Sequence, residues 1–226
     1  MFKVADLFDL SQTDHAALFV SDGPAWEALP HIKDYLAETL KPAILATVSP
    51  QAIVGENVSI GEGTTVAAGA CIEGPAIIGS NCQIRHNAYI RAHVIVGDNC
   101  VVGNACELKN ALLFNDCQVP HFNYVGDSIL GRHAHLGAGV VLSNFKSLPG
   151  NVAVQNGNDK IDTGLRKFGA LIGDHTEIGC NCVLNPGSIL GRKCVVYPNT
   201  NWRGVLAPGH IVKNAAQKQV IAKREE

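Results

Sequence analysis

An aliphatic residue returns at every sixth position through most of this chain. The positions concerned are Val54, Ile60, Val66, Ile72, Ile78, Ile84, Ile90, Val96, Val102, Leu108 and Phe114, then Leu130, Leu136 and Leu142, then Ile172, Ile178, Leu184, Leu190, Val196 and Trp202. No helix has a period of six, and an ordinary strand alternates at two. Short strands and turns repeated every six residues, three per coil, stack into a three-sided parallel β-helix with the aliphatic residues inside. The spacing therefore predicts an all-β chain built on a single-stranded parallel β-helix.

The residue two positions before each aliphatic one is usually small. These residues are Thr64, Ala70, Ala76, Cys82, Ala88, Cys100, Cys106, Ala134, Cys182, Cys194 and Thr200. Free cysteine packs as a small hydrophobic residue, so five of the eight cysteines are explained as interior packing. A metal site at Cys180 and Cys182 is the alternative, and it is disfavoured because the repeat already places Cys182 inside.

Three segments lack the repeat. Residues 1–48 are predicted to form an N-terminal helical cap over the open first coil, since an unpaired β-edge invites aggregation. The β-helix is predicted over residues 49–206, with an ejected loop at 146–169 that is rich in Gly and basic residues. Residues 207–226 are predicted to be a polar helical tail.

The bulk composition excludes several partners. The formal net charge is -2 and no long basic run is present, so neither a nucleic acid nor an anionic membrane is expected as a partner. No apolar run is long enough to span a bilayer, and the first twenty residues contain three Asp residues rather than a signal peptide. We therefore expect a cytoplasmic protein.

The repeat breaks at Val119–Asp127, which reads VPHFNYVGD, and resumes two residues out of phase. Pro120 occupies the expected inward position and His121 follows it. A neutral imidazole can accept a proton from a nucleophile, and a carboxylate on its other nitrogen fixes the tautomer. Other polar residues lie within one or two coils of His121: Arg91, Glu107, Lys109, Tyr124, His135 and Asn144.

These residues have ordinary alternatives. Contact between His121 and Glu107 is left open, because they are 14 positions apart and the phase slip changes their register. Arg91 and Lys109 are suited to holding a phosphate, yet the exposed turns of a β-helix also commonly carry Arg and Lys. A single surface histidine is usually only solvated.

The stretch from Arg91 to Phe145, together with LRKFGALIGDHTEIGCNCVLNPGSILG, resembles the acetyltransferase domain of bifunctional sugar-1-phosphate nucleotidyltransferases. The resemblance is closest to the archaeal and clostridial branch of the enzymes that make UDP-N-acetylglucosamine. The signature H-x-x-Y-x-G-D stands here as His121, Tyr124, Gly126 and Asp127. It implies a left-handed β-helix, a homotrimer with sites between subunits, and an acetyl-CoA-dependent N-acetyltransferase for glucosamine 1-phosphate or a related sugar, without a metal.

The resemblance also implies roles for individual residues. His121 would be the general base and Glu107 would support it, while Arg91 and Lys109 would bind the sugar 1-phosphate. Tyr124 and Asn144 would contact the acceptor or the acetyl group. The remaining expectations are acceptor contacts by His135 and Lys167 and acetyl-CoA contacts by Ala138, Cys180 and Lys213.

Departures from the family pattern keep other functions open. His135 stands where the family commonly has Asn, the SNFK turn replaces a more polar one, and no Gly-rich loop indicates a nucleotidyltransferase domain. A non-catalytic module that trimerises or senses a sugar nucleotide is one alternative. A second is a zinc enzyme resembling γ-class carbonic anhydrase, with ligands from His86, His93, His121, His133 and His135, although that family's histidine spacing is not reproduced.

Overall fold

The computed structural model describes residues 2–19 and 23–214, and it is a three-sided parallel β-helix. The all-β fold class predicted from the repeat is confirmed. Strands are numbered β1 to β26 in chain order, and the three sides are called faces A, B and C. Neither α-helix of the described residues has the length and hydropathy needed to cross a bilayer.

The strands of each face stack in parallel. Face A holds β1 (Ala43–Ile44), β4 (Val58–Ile60), β7 (Ala76–Ile78), β10 (Val94–Val96), β19 (Ala170–Ile172), β22 (Ser188–Leu190) and β25 (Val205–Leu206). Face B holds β2 (Thr47–Val48), β5 (Thr65–Val66), β8 (Gln83–Ile84), β11 (Val101–Asn104), β13 (Gln118–His121), β15 (His135–Leu136), β20 (Glu177–Ile178), β23 (Val195–Val196) and β26 (Ile211–Val212). Face C holds β3 (Ile53–Val54), β6 (Cys71–Ile72), β9 (Tyr89–Ile90), β16 (Val141–Leu142), β21 (Val183–Leu184) and β24 (Asn201–Trp202).

Two long strands, β12 (Glu107–Leu113) and β14 (Tyr124–Leu130), run from face C around the corner into face A. The turn in each is one residue shorter than in the other coils, so that Val101 pairs with Gln118, whereas Gln83 pairs with Val101. Two single-residue deletions therefore add up to the two-residue phase shift seen in the sequence. The shortened corners lie at Asn110 and Asp127, which have φ values of 47° and 45°.

The interior sequence through the break differs from the prediction. The inward residues are Leu108, Leu113, Val119, Val125 and Leu130, all fully buried. Placing Phe114 and position 120 inside the prism was wrong, because the first deletion shifts every later inward position by one residue. Phe114 instead points outward into a second core, with its ring centroid 5.2 Å from that of Phe8.

The second core lies on the outside of face A. Most face A strands have three residues with an apolar outward centre, which for the buried coils are Ile95, Leu112, Ile129, Leu171 and Ile189. The N-terminal segment covers them with α1 (Val4–Leu7), 3-10 turns at Leu10–Gln12, Ala16–Leu18 and Ala25–Glu27, and α2 (Ala28–Thr39). Ile32 and Leu36 are fully buried there, on the face of α2 predicted to be apolar. The segment therefore lies beside the prism and does not cover its open first coil.

The repeat extends further than predicted at both ends. Strands β1 and β2 already pair with β4 and β5, so the first coil begins inside the segment predicted to be the cap. Strand β26 extends the last coil to Val212. Residues 215–226, most of the predicted helical tail, are outside the described residues.

The predicted ejected loop is a docked antiparallel hairpin, β17 (Ala153–Asn156) and β18 (Asp159–Asp162). Val152, Val154 and Phe168 are fully buried in the second core and hold the hairpin against the prism. Strand β17 passes over Gly187 and Gly204, which have φ values of 84° and 97°. A Cβ at either glycine would meet a β17 carbonyl oxygen within 2.9 Å, so both the conformation and the close approach require glycine.

The cysteines support the packing interpretation. Cys82, Cys100, Cys106, Cys117, Cys182 and Cys194 are buried and free. The thiol of Cys82 donates to the carbonyl of Gly97 at 3.1 Å, and that of Cys106 to Val119 at 3.2 Å. Burial raises the pKa of the Cys100 thiol well above its ordinary value, so this group stays protonated.

The outward apolar residues of face A are expected to be as important for stability as the interior ones. Leu112→Ala should lower the free energy of unfolding by about 3 kcal/mol, because it leaves a cavity between face A and the N-terminal segment. Chemical denaturation measures this change. The exposed face B residue Gln83 provides the control, and Gln83→Ala should stay within about 0.5 kcal/mol of the parent. Equal effects would show that the N-terminal segment is not docked on face A.

Candidate active site

The predicted site residues are distributed along face C and its two corners. The corner between faces B and C, called the BC corner, carries His121, Ala138 and Cys180 on successive coils. The corner between faces C and A, called the CA corner, carries Arg91, Lys109, Gly126, Ser143, Asn185 and Arg203. Outward residues of face C, among them Glu107 and Tyr124, lie between the two corners.

His121 ends β13, and its side chain is exposed at the BC corner. Its backbone N–H donates to Asn123 Oδ1 at 3.0 Å, and its carbonyl accepts from the Gly139 N–H at 2.9 Å. The buried Asn123 amide also donates to the Gly137 carbonyl at 2.8 Å. Asn123 thus ties the His121 turn to the next coil and leaves the imidazole facing outward. Sequence reasoning missed Asn123, which occupies an interior position where most coils have Ala or Cys.

Glu107 does not lie beside His121. The register pairs Asn104 with His121 and Glu107 with Tyr124, because the coil here is 17 residues long and not 14. Glu107 Oε1 instead accepts from Arg91 Nη1 at 3.0 Å, and this hydrogen bond raises the pKa of Arg91. The predicted support of His121 by Glu107 is replaced, within one chain, by an ion pair on face C.

Asp127 is the centre of a polar cluster at the CA corner. Its carboxylate accepts from Lys109 Nζ at 3.0 and 3.1 Å, from Asn110 Nδ2 at 2.9 Å and from the Asn144 amide. The side chain is 6% exposed, so these donors replace nearly all of its water. The cluster brings together Lys109 and Asn144, as the sequence predicted, around a carboxylate to which the sequence gave no role. Its signal was a pair of residues that tolerate positive φ, Asn110 and Asp127, one coil apart.

Tyr124 completes the cluster. Its hydroxyl and the Asn144 amide lie over Gly126, where an added Cβ would come within 2.6 Å of both. Burial raises the pKa of the Tyr124 phenol, and the charge of Glu107 raises it further. The phenol is therefore a hydrogen-bond donor at neutral pH. Gly126 of the H-x-x-Y-x-G-D motif is thus needed for close packing.

The residues predicted to bind the cofactor follow one line. The Asn181 N–H donates to the Ala138 carbonyl at 2.8 Å, and the Asn199 N–H to the Cys180 carbonyl at 2.9 Å, which stacks these coils directly. Lys213 lies further along, with Nζ 5.7 Å from the ring centroid of Tyr197. His121, Ala138, Cys180 and Lys213 therefore follow the BC corner, with coils about 4.8 Å apart.

Two predicted acceptor residues lie elsewhere. His135 is on face B, where Nδ1 is 2.7 Å from Glu177 Oε2. Lys167 follows the hairpin, forms a bridge with Phe145, and lines a small cavity with Asn110 and Pro30. Lys167 is thus brought to the CA corner, whereas His135 is not brought to face C of the same chain.

The histidines of the zinc hypothesis are spread over different corners. No three His, Cys, Asp or Glu side chains among residues 2–19 and 23–214 are grouped as metal ligands. His133 lies instead against His175, with ring centroids 5.0 Å apart, and beside Asp116.

The Asp127 carboxylate should be important for stability because Lys109 would lose its counter-charge. Asp127→Asn keeps a residue that tolerates the positive φ, and we expect it to lower the free energy of unfolding by about 2 kcal/mol. Denaturant titration is the measurement. Asp159→Asn, at an exposed hairpin position, is the control, and an equally small effect at Asp127 would contradict the cluster.

Comparisons with known proteins agree with this geometry. A family model described as the GMPPB C-terminal domain matches residues 72–161, and the hexapeptide repeat of succinyl-transferase matches residues 169–199. A bifunctional sugar-1-phosphate nucleotidylyltransferase/acetyltransferase of Sulfurisphaera tokodaii is 33% identical over 90 residues, which are 40% of this chain and 22% of that protein. The bifunctional protein GlmU of Methanococcus vannielii is 33% identical over 94 residues, 39% of this chain and 22% of that protein.

Solved structures include a UDP-N-acetylglucosamine acyltransferase from Bacteroides fragilis, at 14% identity and a TM-score of 0.41, covering 76% of this chain and 67% of that chain. Another is PerB of Caulobacter crescentus with CoA and GDP-perosamine, at 20% identity and a TM-score of 0.25, covering 64% of this chain and 50% of that chain. In sequence, this protein is a hexapeptide-repeat β-helix similar to the C-terminal regions of bifunctional sugar-1-phosphate nucleotidylyltransferase/acetyltransferases.

Proposed function

We propose that the protein transfers an acetyl group from acetyl-CoA to the amine of an amino-sugar phosphate or a related sugar, with His121 as the general base. The observation that carries this proposal is the exposed imidazole of His121, fixed by Asn123 one coil from Ala138 and beside the polar cluster of face C. A sequence relative that is both a nucleotidylyltransferase and an acetyltransferase supports the reaction class.

In the proposed reaction, His121 accepts a proton from the acceptor amine as its nitrogen attacks the thioester carbonyl. The new C–N bond forms, the C–S bond breaks, and the proton passes to the departing CoA thiolate. Backbone N–H groups at the corner would stabilise the oxyanion of the intermediate. Holding amine and thioester side by side on one rigid corner supplies much of the rate, because reactants bound in the right orientation need no further ordering.

The acceptor is proposed to lie on face C. Tyr124 donates a hydrogen bond to it, and Lys109, held by Asp127 and beside Asn144, faces its phosphate. Glu107 acts through Arg91, which it orients, and is therefore a positioning residue. Lys167 reaches the same end of the acceptor from the hairpin side.

Acetyl-CoA is proposed to run along the BC corner, past Ala138 and Cys180 toward Lys213. Its thioester would meet His121 near Ala138, and the rest of the molecule would extend over the later coils. We further propose that the protein is a homotrimer, in which the neighbouring subunit closes the groove along this corner. His135, which is on face B, would then belong to the subunit contact or to a neighbour's groove.

His121→Ala should lower kcat by about 10²–10⁴ while leaving the KM for acetyl-CoA nearly unchanged. A thiol-release assay with acetyl-CoA and a panel of hexosamine phosphates measures both constants. His86 is the matched control because it is exposed on the same corner two coils earlier, and His86→Ala should retain full activity. Unchanged turnover in His121→Ala would remove His121 from the mechanism, and no CoA release with any acceptor would favour a non-catalytic module.

Glu107→Gln distinguishes orientation of Arg91 from support of His121. If Glu107 acts through Arg91, the KM for the acceptor should rise about tenfold, the loss expected for a weakened charge-assisted hydrogen bond. The pH dependence of kcat should stay that of the parent. A shift in the pH profile of kcat with little change in KM would instead show that Glu107 acts on the His121 imidazole.

A further inference from the structure

A second cavity, of about 520 Å³, lies between the hairpin and the CA corner, next to the Asn144 cluster. Three cationic side chains line it, Lys146 and Lys160 from the hairpin segment and Arg203 from the last coils. No Asp or Glu lines the cavity, and none of the described carboxylates forms an ion pair with these three cations. The cavity therefore carries an uncompensated positive charge suited to a group with at least two negative charges.

The cationic residues predicted to hold a sugar phosphate are in a different electrostatic situation. Arg91 is paired with Glu107, and Lys109 is paired with the buried Asp127. This part of the CA corner is thus close to neutral before a ligand arrives. The excess positive charge on the acceptor side of the molecule lies in the second cavity.

An aromatic ring adds a second recognition element. Phe145 lines the cavity and is 48% exposed, and the guanidinium of Arg166 lies over its ring at 4.3 Å from the centroid. A planar base can stack on such an exposed aromatic and guanidinium pair, and stacking is a common means of holding bases. Ser143 and Asn185 supply neutral polar groups on the wall between this ring and the prism.

The hairpin wall is fixed in place before any ligand binds. Val152 and Val154 are fully buried in the second core, and β17 lies directly on Gly187 and Gly204. Lys146 is held by a hydrogen bond to the Asn151 carbonyl, and Arg166 by one to the Gly150 carbonyl at 2.9 Å. A preformed wall lowers the entropy cost of binding a flexible anion.

We infer that this cavity binds a nucleoside diphosphate group, so that the acceptor is an amino sugar linked to a nucleotide and not a free sugar 1-phosphate. The diphosphate would lie between Lys146, Lys160 and Arg203, and the base against Phe145. Ser143, Asn185 and Arg203 continue the CA corner column beyond Gly126, over three coils or about 14 Å. The sugar would then extend from the cavity past Asn144 onto face C. This inference deepens the proposed function and depends on it only for the reaction at the sugar.

Binding of uridine and guanosine diphosphate to the whole chain, measured by calorimetry without acetyl-CoA, tests the cavity directly. At least one of them should bind, and Lys160→Met/Arg203→Met should weaken binding by about tenfold or more. Lys41→Met, at an exposed lysine before the first coil, should leave binding within about twofold, the range expected for a distant surface substitution. Binding of neither nucleotide, or equal weakening by Lys41→Met, would overturn the inference.

Further arms separate the possible sources of the same chemistry. Inorganic pyrophosphate should bind more weakly than the nucleotide, and Phe145→Ala should weaken nucleotide binding without affecting pyrophosphate. CoA also contains a nucleoside diphosphate, so adenosine 3′,5′-bisphosphate and CoA are tested as competitors. Displacement of the bound nucleotide by either compound would assign the cavity to CoA and overturn the acceptor assignment.

The outcome is independent of the acetyl transfer. His121→Ala should bind the nucleotide as the parent does, since His121 is on the BC corner. If nucleotide binding is retained but no amino sugar supports CoA release, the proposed function fails and the cavity assignment stands. If a hexosamine 1-phosphate is acetylated as efficiently as its nucleotide-linked form, the acceptor assignment fails and the proposed reaction stands.

Discussion

Interior stacking sets the position of every other feature of this protein. Each inward aliphatic residue lies on its equivalent in the next coil, and parallel backbone hydrogen bonds hold the coils in register. Such a column accepts a change in coil length only at a corner, where no side chain is committed to the interior. The chain uses this freedom twice, at Asn110 and Asp127. Because both deletions fall on the same corner, they reshape one edge of the prism and leave the interior column continuous.

The local chemistry follows from those two shortened corners. A tight corner requires residues that adopt positive φ, and Asn and Asp do so more readily than most others. The same requirement turns the Asp127 carboxylate inward, where it is surrounded by Lys109, Asn110 and Asn144. The fold and the polar cluster therefore have one origin. At the other corner, Asn123 replaces a small interior residue, and its amide fixes the His121 turn.

The period of six was sufficient to predict the fold class, because side chains of the right size at regular intervals leave the backbone few choices. The small interior cysteines followed from the same pattern. The inward positions at 114 and 120 were wrong because two shortened turns look, in sequence, like one longer interruption. The partner of Glu107 was also beyond the sequence, since an error of three residues in coil length moves a side chain from a corner onto a face. The docking of the N-terminal segment had a visible signal, the apolar outward residue at Ile95, Leu112, Ile129, Leu171 and Ile189, which a search for inward residues alone overlooks.

That apolar stripe also decides which sides of the prism remain accessible. Both the N-terminal segment and the hairpin bury their apolar side chains on face A, so one chain occupies that side with its own residues. Only faces B and C and their shared corner are left for other molecules. The protein is therefore one-sided: copies of it have no access to each other through face A, and stacking of prisms back to back is excluded. Any closed assembly must be organised around the edge where His121, Ala138 and Cys180 lie.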